Sequence, residues 1–358
     1  MNKIALLTFH DTTNFGALLQ TYGLYKKLND MGKDCNILDY KCTNIIKREV
    51  PSRFKLTLDP KVIAIEALVT SKSRRRYASM QQFMKKHMSK ISQSYNRSTV
   101  FNIKEEFDTY VVGSDMCWGL DITDGDFSYF LDFVPDNKRK FSYATSIGKR
   151  EWTAEEMRKI SGLLSRFNTV SVREEATVER LKPVLAKDCH VVCDPTMLLT
   201  AEEWMPYVSQ RYKQGGFVLV YFNTDDGKTL SDAKEYANEQ GKKLIVISST
   251  PSFITKTHNV YPAKVEDFLS LIYYADTVFT ASYHGLLFSL YFHKNIVYYN
   301  RQPTYRMQTV AKRMGIENRE GRSVDLKKLS KLDYDIIDNK LSEYRAESIN
   351  YINNALEY

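Results

Sequence analysis

The chain contains no run of about 18 uncharged apolar residues, so no segment reads as a membrane-spanning helix. Its opening, "MNKIALLTFH", has one lysine and a short apolar run, but polar "DTTN" follows where a secretory leader would carry small residues. That stretch reads as a first strand. Cysteine is scarce: Cys35, Cys42, Cys117, Cys189 and Cys193 form an odd set without a C-x-x-C pair. Such usage argues against a disulfide framework or a zinc site and fits a reducing cytoplasm. Walker, Gly-x-Gly-x-x-Gly and His-Glu-x-x-His sequences are missing, as are aromatic-basic RNA-binding runs and zinc fingers. No nucleic-acid partner, metal or redox cofactor is therefore expected. Internal repeats, low-complexity tracts and Pro/Gly-rich linkers are missing too.

What is present is alternation. Strand-like segments fall at Lys3–Phe9, Asp34–Tyr40, Thr109–Val112, Lys140–Thr145, Asn168–Val172 and His190–Cys193. More follow at Phe217–Phe222, Lys243–Ser248, Asp276–Ala281 and Asn295–Tyr299. Helical stretches lie between them, beginning with Phe15–Met31, whose apolar residues include Leu18, Leu19, Tyr22, Leu24 and Leu28. This pattern predicts α/β architecture with parallel sheets covered on both faces. At 358 residues the chain exceeds what one core usually serves. We expect two Rossmann-like, doubly wound domains facing a central cleft, residues 1–180 and 181–358, with a C-terminal helix over Tyr334–Tyr358 that packs back on the first domain. A net charge of +8 points to anionic partners, small anions or an anionic membrane surface.

The strand ends share a chemistry. After Val112 comes "GSDMCW", after Thr145 "SIG", after Val172 "REE", after Cys193 "DPT" and after Ala281 "SYHG". Parallel α/β sheets bind ligands at this edge, where helix N-termini present N–H groups and the positive end of a dipole; ordinary turn and capping chemistry would give the same residues. His284 stands at the hinge of a strand–turn–helix unit, where the dipole disfavours an imidazolium unless an anion sits beside it. That suits proton transfer on a phosphorylated substrate, with Ser282 and Gly285 as neighbouring contacts. Arg173 can offer its planar fork to carboxylate or phosphate, or pair with Glu174 or Glu175. Arg306 opens a further helix, Ser114 and Asp115 lie in "GSDMCW", and His10 is a second candidate histidine. Asn14 and Gly16, in "HDTTNFGALLQ", either cradle a sugar or phosphate or form an N-cap.

Taken in order, "KIALLTFHDTTNFGALLQTYGLYKKL", "YVVGSDMCW", "FSYATSIG", "SVREE", "DPTMLL" and "TASYHGLLFSLYF" make the chain resemble the polysaccharide pyruvyltransferase family over most of its length. The resemblance implies a GT-B-like pair of Rossmann-like domains. It implies transfer of a pyruvyl group from phosphoenolpyruvate to two hydroxyls of a sugar, giving a ketal and phosphate. By that likeness His284 matches the essential histidine, Arg173 the arginine of the serine-x-arginine segment, and Arg306 a basic position downstream. The hydroxyl-side base would be Asp115. Ala281, Met116 and Ser282 depart from residues common in the family, which leaves the acceptor and the holder of the donor carboxylate open.

The stretch Pro60–Ser89 reads as a basic helix, with Val62, Ile63, Ile65, Leu68 and Val69 preceding Arg74–Arg76, Lys85 and Lys86. It either turns its apolar face to the core or lies on the cytoplasmic face of a membrane, as a lipid-pyrophosphate-linked sugar acceptor would require. Two other functions share these features: a GT-B glycosyltransferase using a nucleotide sugar, and a non-catalytic sugar-phosphate-binding protein.

Overall fold

The structure is a computed structural model that describes residues 3–49, 60–222, 227–247, 258–260, 264–300 and 306–357; the side chains of 60–69 and 258–259 lie outside the description. Two compact units divide the chain. Met1–Val50, Gln81–Leu199 and Ser342–Tyr358 make unit 1, and Pro51–Met80 with Thr200–Leu341 make unit 2.

Unit 1 is built on the parallel strands β1 (Lys3–Leu7), β2 (Asp34–Ile37), β3 (Thr109–Val112) and β4 (Arg139–Ser142), in the order β2-β1-β3-β4. β5 (Val170–Val172) and β6 (Cys189–Val191) pair in parallel and reach β4 through the bridges Phe141↔Thr169 and Thr145↔Val172. At this seam side chains replace part of the ladder. Ser142 Oγ donates to the Ser171 carbonyl at 2.9 Å, and Ser171 Oγ donates to the Ser142 carbonyl at 2.8 Å. The helices are α1 (Phe15–Asp30), α2 (Thr43–Glu49), α3 (Pro60–His87, which continues from unit 2 into unit 1), α4 (Leu120–Thr123), α5 (Ala154–Ser165) and α6 (Glu175–Leu181). β3, "TYVV", is buried at every residue, as a parallel strand covered on both faces must be. Each fully buried valine there contributes about 1.5–3 kcal/mol.

Unit 2 contains α7 (Ala201–Trp204), β7 (Phe217–Tyr221), α8 (Lys228–Glu239), β8 (Lys243–Ile247), β9 (His258–Val260), α9 (Val265–Tyr274), β10 (Thr277–Thr280), α10 (Tyr283–Tyr291), β11 (Asn295–Tyr298) and α11 (Arg306–Met314). Its sheet is parallel throughout, in the order β11-β10-β7-β8-β9. The first strand is central and the chain reverses direction of travel between β7 and β10, the doubly wound arrangement. Val218, Val220, Phe279, Val297 and Tyr299 fill one side of this sheet. All nine residues of α10 are buried, which explains why its sequence is apolar all round instead of striped.

The α/β class and the two doubly wound sheets agree with the sequence reading. β9, three residues long, is the strand that the reading did not find. Residue 180 falls between β5 and β6, whose pairing keeps both strands in unit 1. The last helix, α12 (Tyr334–Glu357), begins in unit 2, where Tyr334 Oη donates to the Lys294 carbonyl at 2.5 Å. Its later turns belong to unit 1: Arg345 Nε donates to the Met197 carbonyl at 2.7 Å and Tyr351 Oη to the Ser142 carbonyl at 2.9 Å. Among the described residues no helix is long and apolar enough to cross a membrane.

Gly23 shows how closely α1 seats in unit 1. A Cβ there would lie 2.5 Å from the Pro195 carbonyl oxygen, a backbone atom that cannot rotate away. Gly23→Ala is therefore expected to cost about 1–3 kcal/mol through forced backbone shifts, seen as a lowered midpoint of thermal unfolding. An unchanged midpoint would mean that α1 does not pack on this segment.

Candidate functional site

In unit 2 the switch point of the sheet lies at the carboxyl ends of β7 and β10, and α10 starts there. Ser282 is its N-cap residue and His284 the second residue of the helix, 9% exposed, with its ring edge-on to Tyr283 at 5.3 Å between centroids. Ser282 makes no side-chain capping bond. Its amide donates to Thr280 Oγ1 at 3.0 Å, and Thr280 Oγ1 donates to the Tyr221 carbonyl at 2.7 Å, tying the turn to both strands. A Cβ on Gly285 would stand 2.3 Å from Thr280 Oγ1 and 3.0 Å from Tyr221 Cδ1. The glycine thus lets the helix approach the strands closely. Burial pushes the Tyr221 hydroxyl above its ordinary pKa, opposed by the positive charge of Arg76 and a hydrogen bond from Ser282. Arg306, half-buried, is the first residue of α11 in the same unit.

Arg173 belongs to unit 1, at the end of β5, and is 2% exposed. Its Nη1 donates to Asp194 at 2.7 Å and to Ser114 Oγ at 3.2 Å, Nη2 to Ser146 Oγ at 3.2 Å and Nε to Glu174 at 3.2 Å. The ion pair with Glu174 that the sequence offers for this arginine is formed, and Asp194 of "DPT" adds a second carboxylate. Asp194 and Ser146 are partners that the sequence does not single out for Arg173, because they are far from it in the chain and meet it only through strand pairing. The other Asp194 oxygen accepts from the Thr196 amide and hydroxyl at 2.9 and 2.8 Å. Two short motifs, "SVREE" and "DPT", are therefore halves of one buried network.

Ser114, fully buried, is part of that network; Asp115, beside it, is half-buried. Asp115 holds φ at 80°, a left-handed conformation uncommon for a side chain with a Cβ. Its Oδ1 accepts from the Met116 amide at 2.8 Å. Non-glycine residues in this region cluster at functional turns.

Asn14 is the N-cap of α1, accepting from the Gly16 and Ala17 amides at 2.9 and 3.4 Å, so the capping alternative for "HDTTNFGALLQ" is what forms. His10, 2% exposed, faces the Thr8 carbonyl through Nδ1 at 3.1 Å and Asp39 through Nε2 at 2.8 Å. Lys41 joins Asp39 to Asp11. Burial would raise the Asp39 carboxyl, but hydrogen bonds from His10, Lys41 and Ser94 hold it well below the usual carboxylate range. This cluster closes on itself beside the switch point between β1 and β3. A pocket of about 470 Å³ opens at the opposite, amino-terminal edge of the unit 1 sheet, lined by acids and bases together, including Asp108, Arg139 and Arg166. All five cysteines are free thiols, and burial pushes Cys193 up to about 11.

Residues 14–303 match the protein family described as Polysaccharide pyruvyl transferase. No curated protein matches the sequence. Among solved structures, an α-glucosyltransferase in complex with UDP and a 13-mer DNA aligns at TM-score 0.53 and 8% identity, over 97% of this chain and 90% of that one. S. aureus MnaA with UDP aligns at 0.51 and 14%, over 99% and 97%. UDP-GlcNAc 2-epimerase of Methanocaldococcus jannaschii aligns at 0.50 and 12%, over 98% and 100%. At such identities the likeness concerns the fold, which is GT-B-like.

Arg173→Ala would leave the buried carboxylates of Glu174 and Asp194 uncompensated. The expected loss is about 3–5 kcal/mol of stability, read as an earlier denaturant midpoint, with Arg173→Lys intermediate. Stability retained in the alanine variant would show that the network is incidental to folding.

Proposed function

The chain belongs to the polysaccharide pyruvyl transferase family, and on that premise we propose that it moves a pyruvyl group from phosphoenolpyruvate to two hydroxyls of one sugar. The product is a cyclic ketal on a surface polysaccharide precursor, for capsule or exopolysaccharide, and the co-product is phosphate. One observation carries this reading: His284 stands in the first turn of α10 at the switch point of the unit 2 sheet. There the amino end of a helix attracts an anion and the imidazole is at hand for a proton. Unit 2 takes the donor and unit 1 the acceptor.

The donor phosphate and carboxylate meet the α10 N-terminus and Arg306. A proton delivered by His284 to the methylene carbon makes C2 oxocarbenium-like, and one sugar hydroxyl adds there. The C2–O bond to phosphate then breaks, phosphate leaving with the bonding pair, and the second hydroxyl closes the ring as its proton passes to the now neutral His284. Asp115 takes the hydroxyl proton from the acceptor, its strained backbone holding the carboxylate at the carboxyl end of β3. Arg173 acts indirectly, by holding Ser114 and hence the turn bearing Asp115. Neither a metal nor a redox cofactor takes part. The acceptor is a lipid-pyrophosphate-linked sugar, met by peripheral contact with the cytoplasmic membrane face.

Phosphate release from phosphoenolpyruvate, followed with product mass across lipid-linked and nucleotide-linked sugars, tests this. His284→Ala is expected to slow release by about 10²–10⁴-fold, the usual worth of a general acid or base; a near-normal rate would remove His284 from the chemistry. Titration with UDP is the control, since two of the structural neighbours named above hold UDP alone or with a sugar nucleotide. Uptake of UDP without uptake of phosphoenolpyruvate would favour nucleotide-sugar transfer instead. For the membrane, replacing the exposed Arg74 and Arg75 by glutamine is expected to weaken flotation with anionic vesicles by about 1 kcal/mol per charge. Unchanged flotation would sink that part.

A further inference from the structure

The pocket at the amino-terminal edge of the unit 1 sheet involves none of the residues placed in catalysis. Asp108 precedes β3, Arg139 opens β4 and Asn168 lies just before β5, whereas Ser114 and Asp115 follow the last residue of β3. Its volume, about 470 Å³, lies within the range of small-molecule sites, roughly 300–1,000 Å³, but those are mostly apolar. Here every lining residue is polar or charged. Such a lining suits a ligand made of charges and hydroxyls.

The charge has a sign. Arg166 Nε donates to Asp136, and its Nη2 donates to the Val134 carbonyl. Arg139 Nη1 donates to the Ala355 carbonyl at 3.3 Å, near the end of α12. Among the described residues neither Arg139 nor Lys138, both half-buried, forms an ion pair. Behind this wall Lys140 is fully buried, its ammonium donating to the Pro135 and Lys138 carbonyls at 2.7 and 3.2 Å. Burial lowers the pKa of Lys140, and the positive charge of Arg166 lowers it further. Asp108 accepts from the Lys3 backbone amide at 2.9 Å. Four cations thus stand against two carboxylates. Parallel α/β units turn helix carboxyl ends toward this edge, each worth about half a negative charge. These do not cancel the excess, since Lys187 already serves the end of α5 by donating to the Ser165 carbonyl at 3.2 Å. An anion in the pocket would supply the missing counter-charge.

We propose that this pocket binds a phosphorylated polyol, a sugar phosphate, at a site separate from the candidate catalytic site. Lys138, Arg139 and the remaining Nη1 of Arg166 take the phosphate. Asn168, whose Oδ1 accepts from the Lys140 amide at 2.9 Å, offers its Nδ2 to one hydroxyl, and Asp108 accepts from another. The proposal is independent of the pyruvyl-transfer reading, which uses the carboxyl ends of the strands.

The test is calorimetric titration of glucose 6-phosphate, N-acetylglucosamine 1-phosphate and glycerol 3-phosphate into the full chain, with glucose and inorganic phosphate as component probes. At least one ester is expected to bind the wild type more tightly than either component does. Arg139→Gln and Lys138→Gln should each weaken that binding about 10–100-fold, the worth of a hydrogen bond to a charged group. Lys47→Gln, on the exposed surface of α2, and His284→Ala, in unit 2, should bind as the wild type does. Thermal unfolding shows which variants fold; should Arg139→Gln fail to, Lys138→Gln decides. Absence of binding by all three esters would overturn the proposal, and so would inorganic phosphate binding equally well, the mark of a bare anion contact. Binding lost in His284→Ala but kept in Arg139→Gln and Lys138→Gln would return the ligand to the candidate catalytic site and overturn it too.

Discussion

Helix α10 can begin where it does only because residue 285 has no Cβ. Thr280 Oγ1 and Tyr221 Cδ1 occupy the space that a methyl group would need, and Thr280 is pinned by its bond to the Tyr221 carbonyl. Bringing the helix this close to β7 and β10 sets the height of its first turn, and with it the position of His284. The same contact explains why a strand-end threonine and a tyrosine matter to a site in which neither need react. Distances at such a junction are set by backbone approach, and packed interiors yield little.

The two units use their strand ends differently. In unit 1 the charges close on themselves: Arg173 with Glu174 and Asp194, and His10 with Asp39 and Lys41. Such networks are costly to break and hold loops in one arrangement. In unit 2 the N-cap and first turn of α10 carry serine, histidine and glycine but no acid. The charges at one edge are thus paired within the chain, whereas the first turn at the other carries no carboxylate.

Much of the fold was legible because its signals are local. Runs such as "FVLVY" and "TYVV" announce buried parallel strands, and "TASYHGLL" announces a strand running into a helix. Roles were less legible than elements. "HDTTNFGALLQ" offered a cradle or a cap with equal force, and the cap is what Asn14 makes. Arg173 and Asp194 stand 21 residues apart and meet only because β5 and β6 pair in register. Arg76 was hidden within a basic run, since burial of one member of a charged triplet leaves no trace in composition.

By itself the sequence determined the α/β class, the succession of strands and helices, and the clustering of polar residues where parallel strands end. Each of these follows from hydrophobic periodicity and turn preference within a few residues. Only the tertiary structure decided that Arg173 is spent on carboxylates of the chain, that Arg76 alone of its triplet is buried, and which segments make up each unit. Those outcomes depend on strand register and on contacts across many tens of residues, where the pairing of charges is set by packing and burial that no local pattern encodes.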